Sequence, residues 1–432
     1  MGIWTAAVGL CLAALLGISV ASFTVARDGA SGVADASAVA SDASDLYFAL
    51  ADLDAQAARL VLLGNGSALP GSKITDYGSS TLAALDSYNS ETAQVDGDLH
   101  KLAAGARSTD DAAVSRLTAG VTQYHQIADA AIALDETAGQ QAAAAPGATP
   151  TLGAPAGQPD SAAIGYYARA TTLMQGQLLP AAKQLRDDKS RALSDAASSA
   201  RLAGLIGASA TLVAGLLTLV VALRTHRRMA RWFRRSVNPG LALATLIIVA
   251  LTVAGGAALF FAASDSSAAG NRFSDYLAVA RARTDSYDAD GAATRYLLMP
   301  DTGTIALDKA KGLAAAEVGA LGTSSGEQAA GQRWHQVEKV DLASIVSDVN
   351  SGDTATALEL DTGTARGQEA FDFYYYDTEL TQLSDQRLAA FETAMSAARD
   401  DLSGWSWLPW VLIGVALIEL VLGVRPRFAE YR

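Results

Sequence analysis

Arg59 and Arg295 are the side chains best suited to hold a small ligand, because a guanidinium offers two parallel donors to a carboxylate. They stand in stretches that read alike. DAQAARLVLLG (54–64) and DADGAATRYLLMP (288–300) both open on Asp-Ala, pass through small residues to one Arg, and finish Leu-rich before a Gly or Pro. The plainer use of both arginines is an ion pair on a bundle surface. Carboxylates such as Asp52 and Asp54, or Asp187 and Asp188, are plentiful. Near neighbours on a helix point in different directions, so these read as solvated faces rather than acid/base couples.

A second candidate contact is FDFYYYDTEL (371–380), where Phe371, Phe373, Tyr374, Tyr375 and Tyr376 encircle a helix and some must face outward. A third is the run of Arg224, Arg227, Arg228, Arg231, Arg234 and Arg235, which suits anionic lipid head groups or a docking protein. Glu419 is an ionisable residue within an apolar run, a costly placement that calls for a polar partner such as Arg224. No Walker loop, GxSxG, HExxH or CxxC is present, and His100, His125, His226 and His335 lack metal-ligand spacing. Neither a catalytic residue, a metal nor a cofactor is expected. Cys11 follows Leu10 in VGLC, where lipid attachment needs a small residue; as the only cysteine it excludes internal disulfides.

The elements that position these residues follow from four apolar runs, 3–25, 203–223, 241–263 and 407–424. Each approaches the ~20 residues with which a helix crosses a bilayer core. The first lacks a basic n-region, which favours a retained span over a cleaved signal peptide. The Arg-rich segment 224–240 and the tail 425–432, with Arg425, Arg427 and Arg432, are short and basic, so both belong in the cytoplasm. Both termini are then inside a multi-pass plasma-membrane protein, and the long segments 26–202 and 264–406 are outside. The chain carries a net charge of −13; loop and tail together contribute +8, leaving about −21 for the remainder, which makes nucleic acid an unsuitable partner.

The outer segments are rich in helix formers. Val39, Ala43, Leu46, Leu50, Leu53, Ala57 and Leu60 alternate four- and three-residue steps, as do Leu388, Phe391, Met395, Ala398 and Leu402. Such steps make a bundle seam. Breaks at GNGSALPGS (64–72), ARSTDD (106–111) and 142–160 cut the first segment into four helices; MPDTG (299–303), GTSSGE (322–327) and VNSGDT (349–354) do the same in the second. The expected fold is an all-α membrane protein with four transmembrane helices and two extracytoplasmic antiparallel four-helix bundles as a tandem repeat. Its parts are transmembrane helices at 1–25, 203–223, 241–263 and 407–424, and bundles at 26–202 and 264–406. Ala203, Gly207, Ala210 and Ala214 offer the second span a small-residue face.

This architecture, together with DLYFALADLDAQAARLVLLGNG (45–66), resembles the GlnX family. The resemblance implies a non-enzymatic adaptor whose outer domains sense an extracytoplasmic glutamine/glutamate-binding lipoprotein and whose inner loop signals to a soluble Ser/Thr kinase. It carries no catalytic residue over, and the short start MGIW departs from the family pattern. The residues alone leave two other classes open. One is a chemoreceptor-like sensor that binds a small molecule in its bundles, and the other a scaffold or permease-like subunit of an export complex.

Overall fold

The computed structural model describes residues 2–64, 77–105, 111–143, 158–233 and 239–429, and among them there is no strand. In chain order the helices are α1 (Gly2–Leu63), α2 (Tyr77–Gly105), α3 (Asp111–Ala143), α4 (Ser161–Leu173), α5 (Leu179–Phe233) and α6 (Pro239–Leu298). They continue with α7 (Pro300–Gly319), α8 (Ser325–Gln336), α9 (Leu342–Ser351), α10 (Thr354–Thr362), α11 (Glu369–Asp401) and α12 (Leu408–Ala429). Two π-turns, Met174–Leu178 and Val337–Asp341, join α4 to α5 and α8 to α9. Pro180 lacks the N–H that would donate back along the first of these helices, which accounts for an irregular turn just before it.

The breaks form where local chemistry opposes helix. α1 ends on Gly64 at φ 55° and α9 on Gly352 at φ 82°, both in the left-handed region that glycine tolerates. Pro300 starts α7 after the single non-helical residue Met299. Ser324 and Glu327 form a capping box on α8, and Arg387 also pairs with Glu327. One break was not expected: residues 363–368, with Gly367 at φ 86°, separate α10 from α11 and give the second half an additional short helix.

Helices within Ala7–Leu63, Ser161–Arg228 and Ala242–Leu298 contain apolar stretches long enough to cross a membrane. The fourth expected span lies in α12, whose described apolar stretch, Leu408–Glu419, is shorter.

The chain divides into two compact units: residues 1–37, 191–273 and 389–432, and residues 38–190 with 274–388. The first unit gathers the apolar runs around Val8, Leu12, Leu15, Ile248, Leu251 and Ile413. Its helices approach through small residues: a Cβ on Gly204 would lie 2.6 Å from Ala263 Cβ, and Gly215 leaves room only for Thr252. The buried face is therefore Gly204, Ala208, Thr211 and Gly215, with Gly207 against Ser22, one step round from most of the expected small-residue face. Trp405 stacks on Phe23 at 4.7 Å, whereas Trp407 and Trp410 are exposed.

In the second unit the seam reads as expected, with Ala43, Leu46, Leu50, Leu53, Ala57 and Leu60 buried. The burial goes further than a seam. Residues 49–58 of α1 and 289–296 of α6 are buried on every face, so each is a central helix sheathed by others. Contacts advance together along the pair: Ser41 meets Tyr276, Phe48 meets Tyr287, and a Cβ on Gly291 would lie 2.7 Å from Ala55 Cβ. Here α1 and α6 run parallel, with the small residues Ala55 and Gly291 in close approach.

Candidate functional site

Two parallel helices buried on all sides leave no solvent for their polar side chains, so each such group must find a partner. Asp54 and Arg59 stand on α1 at the same spacing as Asp290 and Arg295 on α6. Side chains on a helix lean toward its N-terminus, so each arginine covers the turn before its own and reaches across to the other helix. Arg295 Nη1 donates to Asp54 Oδ2 at 3.0 Å, and Arg59 Nη2 donates to Asp290 Oδ1 at 3.5 Å. The two pairs are reciprocal, as a duplicated sequence packed on its own copy would make them.

The surroundings of the pairs differ. Around Arg295, Nη2 donates to Asp288 at 2.9 Å, while Asp54 also accepts from Thr171 at 2.9 Å, Tyr124 at 3.2 Å and Gln175 at 3.4 Å. This end is well satisfied. Around Arg59 carboxylates outnumber cations: Asp52, Asp290, Asp361 and Glu369 all act on it electrostatically. Asp361 accepts from Thr294 at 3.3 Å, Asp52 accepts from Gln56 at 2.8 Å, and the fully buried Glu369 meets the carboxyl of Asp290. Burial pushes the Asp361 carboxyl up to about 7, with Arg59 pulling against it. Burial also drives Glu369 well above the usual carboxylate range, reinforced by the charges of Asp290 and Asp361.

A cavity of about 440 Å³ lies beside the satisfied end, lined by residues of α1, α4, α5, α6 and α7 and of the first π-turn. Thr171, Gln175, Asp288 and Arg295 give it a polar side; Leu179, Pro180, Met299 and Leu313 give it an apolar one. Gln175 belongs to the π-turn Met174–Leu178, and its amide donates to both Asp54 and Asp288. Among the described residues, no three His, Cys, Asp or Glu side chains group so as to hold a metal ion.

Arg59 and Arg295 are thus brought together, though by the core of the unit rather than by its surface. Asp52 and Asp54 correct the solvated-face expectation, being 6 % and 0 % exposed, because the helix that carries them has no solvent face there. Asp187 and Asp188 are exposed as expected. His100 is exposed, but His125 is half-buried beside Tyr88 and Tyr124. Of the aromatic run, Phe373 and Tyr376 pack inward, Tyr374 and Tyr375 are exposed, and Phe371 is half-buried at 4.8 Å from Tyr375. α5 continues to Phe233, so Arg224, Arg227 and Arg228 stand exposed on a helix; the side chains of Arg231, Arg234 and Arg235 lie outside the described residues. Glu419 is half-buried on α12.

The sequence pointed to the arginines, read Asp54 as solvated, and passed over Asp288, Asp290, Asp361 and Glu369. The available signal was the repeated Asp-to-Arg spacing, which an ungapped alignment of Asp54 with Asp290 exposes.

Residues 30–198 match the family model of an actinobacterial sensor domain, which spans the C-terminal half of α1 through α4 and into α5. No curated protein and no solved structure matches the chain. The region that carries Asp54, Arg59 and Gln175 is therefore similar to a sensor domain, in a chain with apolar helices able to cross a membrane.

Proposed function

We propose that the protein is a non-enzymatic transmembrane signalling adaptor. Its second unit reads an extracytoplasmic stimulus, and the Arg-rich segment passes the outcome to a cytoplasmic protein. The observation that carries this reading is the length of α1 and α6: each runs unbroken from an apolar run to its half of the reciprocal Asp–Arg pair. A small shift of one central helix past the other repositions both pairs at once, and the same helices lead to the membrane. Four spans with both termini inside put the exposed Arg224, Arg227 and Arg228 in the cytoplasm, where a short basic segment has no output domain of its own and must borrow one. The resemblance to the GlnX family names the partners: a solute-binding lipoprotein outside and a soluble Ser/Thr kinase inside.

The test is a tagged pull-down from gently solubilised native membranes, with partners identified by mass spectrometry. Wild type is compared with a variant in which the six arginines 224, 227, 228, 231, 234 and 235 are replaced by Gln. Recovery of both partners, with only the kinase lost in the variant, is the expected result. Recovery of an ATPase, or of the chain alone, would favour the export or direct-sensing class. Direct sensing has one observation in its favour, the cavity beside Arg295.

A further inference from the structure

The cavity beside Arg295 has the proportions of a small-molecule site: about 440 Å³, one apolar wall, and a few convergent polar groups. Three of its features point to the class of ligand. The first is charge. Arg295 is already held by Asp54 at 3.0 Å and Asp288 at 2.9 Å, so its charge is spent within the protein. Lys183 on α5 and Lys309 on α7 also line the cavity. Neither is in an ion pair among the described residues; Asp285 is the carboxylate that interacts with Lys183 over a longer range. Two lining cations are thus left for an anion to meet.

The second feature is the apolar floor. Leu179, Pro180, Met299 and Leu313 offer no hydrogen bond, so the remainder of the ligand is hydrocarbon or aromatic. The third is the π-turn Met174–Leu178, which places Gln175 at the rim while its amide bonds both Asp54 and Asp288. Irregular turns of this kind are kept where they shape a site.

We infer that this cavity binds a small organic monocarboxylate with an apolar body, its carboxylate between Lys183 and Lys309 and its body on the Leu179–Leu313 floor. The inference rests on the sensor reading and adds a direct ligand to it. Occupancy ties α5 to α7 across the end of the unit where Arg295 meets Asp54, so it biases the pair of central helices that the signal uses.

The test uses the full chain in lipid nanodiscs, with empty nanodiscs as the blank. Ligand-observed NMR is run with benzoate, phenylacetate and 4-phenylbutyrate, each beside its neutral amide. The expected result is binding of at least one carboxylate and of none of the amides. Lys309→Glu and Lys183→Glu should each weaken it at least tenfold, as should Ala306→Trp, which fills the cavity without changing charge. All three sites are exposed, and an unchanged melting temperature certifies each fold. Absence of carboxylate binding, equal binding of the amides, or binding that survives the charge reversals would overturn the inference. The pull-down described above is read independently: partners recovered without ligand binding sink the cavity alone, and ligand binding without partners sinks the relay alone.

Discussion

Arg295 on α6 reaches back along its own helix to Asp54 on α1 at 3.0 Å, and Arg59 on α1 reaches back to Asp290 on α6 at 3.5 Å. Both reaches run the same way along the pair, because the helices are parallel and both side chains lean toward the same end. The two pairs are not equally strong. Arg295 is bonded by two carboxylates, whereas Arg59 has one long bond and a buried, unpaired Nε.

Removing one partner of the stronger pair strands a buried charge. Asp54→Ala is expected to destabilise the second unit by about 3–5 kcal/mol, as is Arg295→Met. The double variant should recover part of that loss, because neither charge is then left alone. Denaturant titration of the purified chain, read as a double-mutant cycle, checks the coupling. Full additivity of the two losses would show that the pair is not coupled.

The carboxylate-rich end makes stability depend on pH. Asp361, pushed up to about 7, and Glu369, well above the usual range, keep their protons longer in the folded chain than in the unfolded one. The folded state therefore binds more protons between about pH 4 and 7, so stability is greatest at the acid end and falls as pH rises through that window. The slope is up to about 1.4 kcal/mol per pH unit for each such carboxyl. Thermal melts from pH 4.5 to 8 should show the fall, and Asp361→Asn together with Glu369→Gln should lessen it, leaving the share of Glu91, Asp341 and the other buried carboxyls. A wild-type melting temperature that rises across the window contradicts this sign.

Gly291 lies at a close approach of α1 and α6, its added Cβ meeting Ala55 at 2.7 Å. Gly291→Val is expected to cost about 1–3 kcal/mol by overpacking, and to change output by prising the central pair apart. Gly97 on α2, with nothing within 4 Å of its added Cβ, is the comparison. Gly97→Ala should be neutral or gain up to about 1 kcal/mol. Equal effects of the two substitutions on melting would remove the special role given to the α1–α6 approach.

The aromatic run divides into a structural and a surface half. Tyr376, fully buried, shares a 2.6 Å hydrogen bond with Ser286, so Tyr376→Phe should cost about 1 kcal/mol. Tyr374 and Tyr375 are 66 % and 41 % exposed, and replacing both with Ala should move stability by less than about 0.5 kcal/mol. Chemical denaturation separates the halves. A loss of partner recovery on Tyr374→Ala and Tyr375→Ala with unchanged stability would assign the exposed half to binding.

The sequence by itself determined what depends on near neighbours along the chain. Helix boundaries were legible at Gly64, at Met299-Pro300, at Ser324–Glu327 and at Gly352-Asp353, because a left-handed glycine, a proline or a cap acts within one turn. The seam from Ala43 to Leu60 was legible for the same reason, as were the apolar runs of α1, α5 and α6, since period and length are local properties. Arg59 and Arg295 stood out as a repeated pair. What they touch did not. A seam read from α1 alone leaves Asp52 and Asp54 on an outer face, and only the packing of α2–α5 and of α6 around that helix removes the solvent from it. Once water is gone, the partner of each charge is fixed by how the two halves pack, with parallel helices, Ala55 against Gly291, and arginines leaning toward their N-termini. Glu369 took its place in the carboxylate cluster in the same way: its neighbours Asp290 and Asp361 are distant or separated by a helix break in sequence, and only the fold brings them within electrostatic reach.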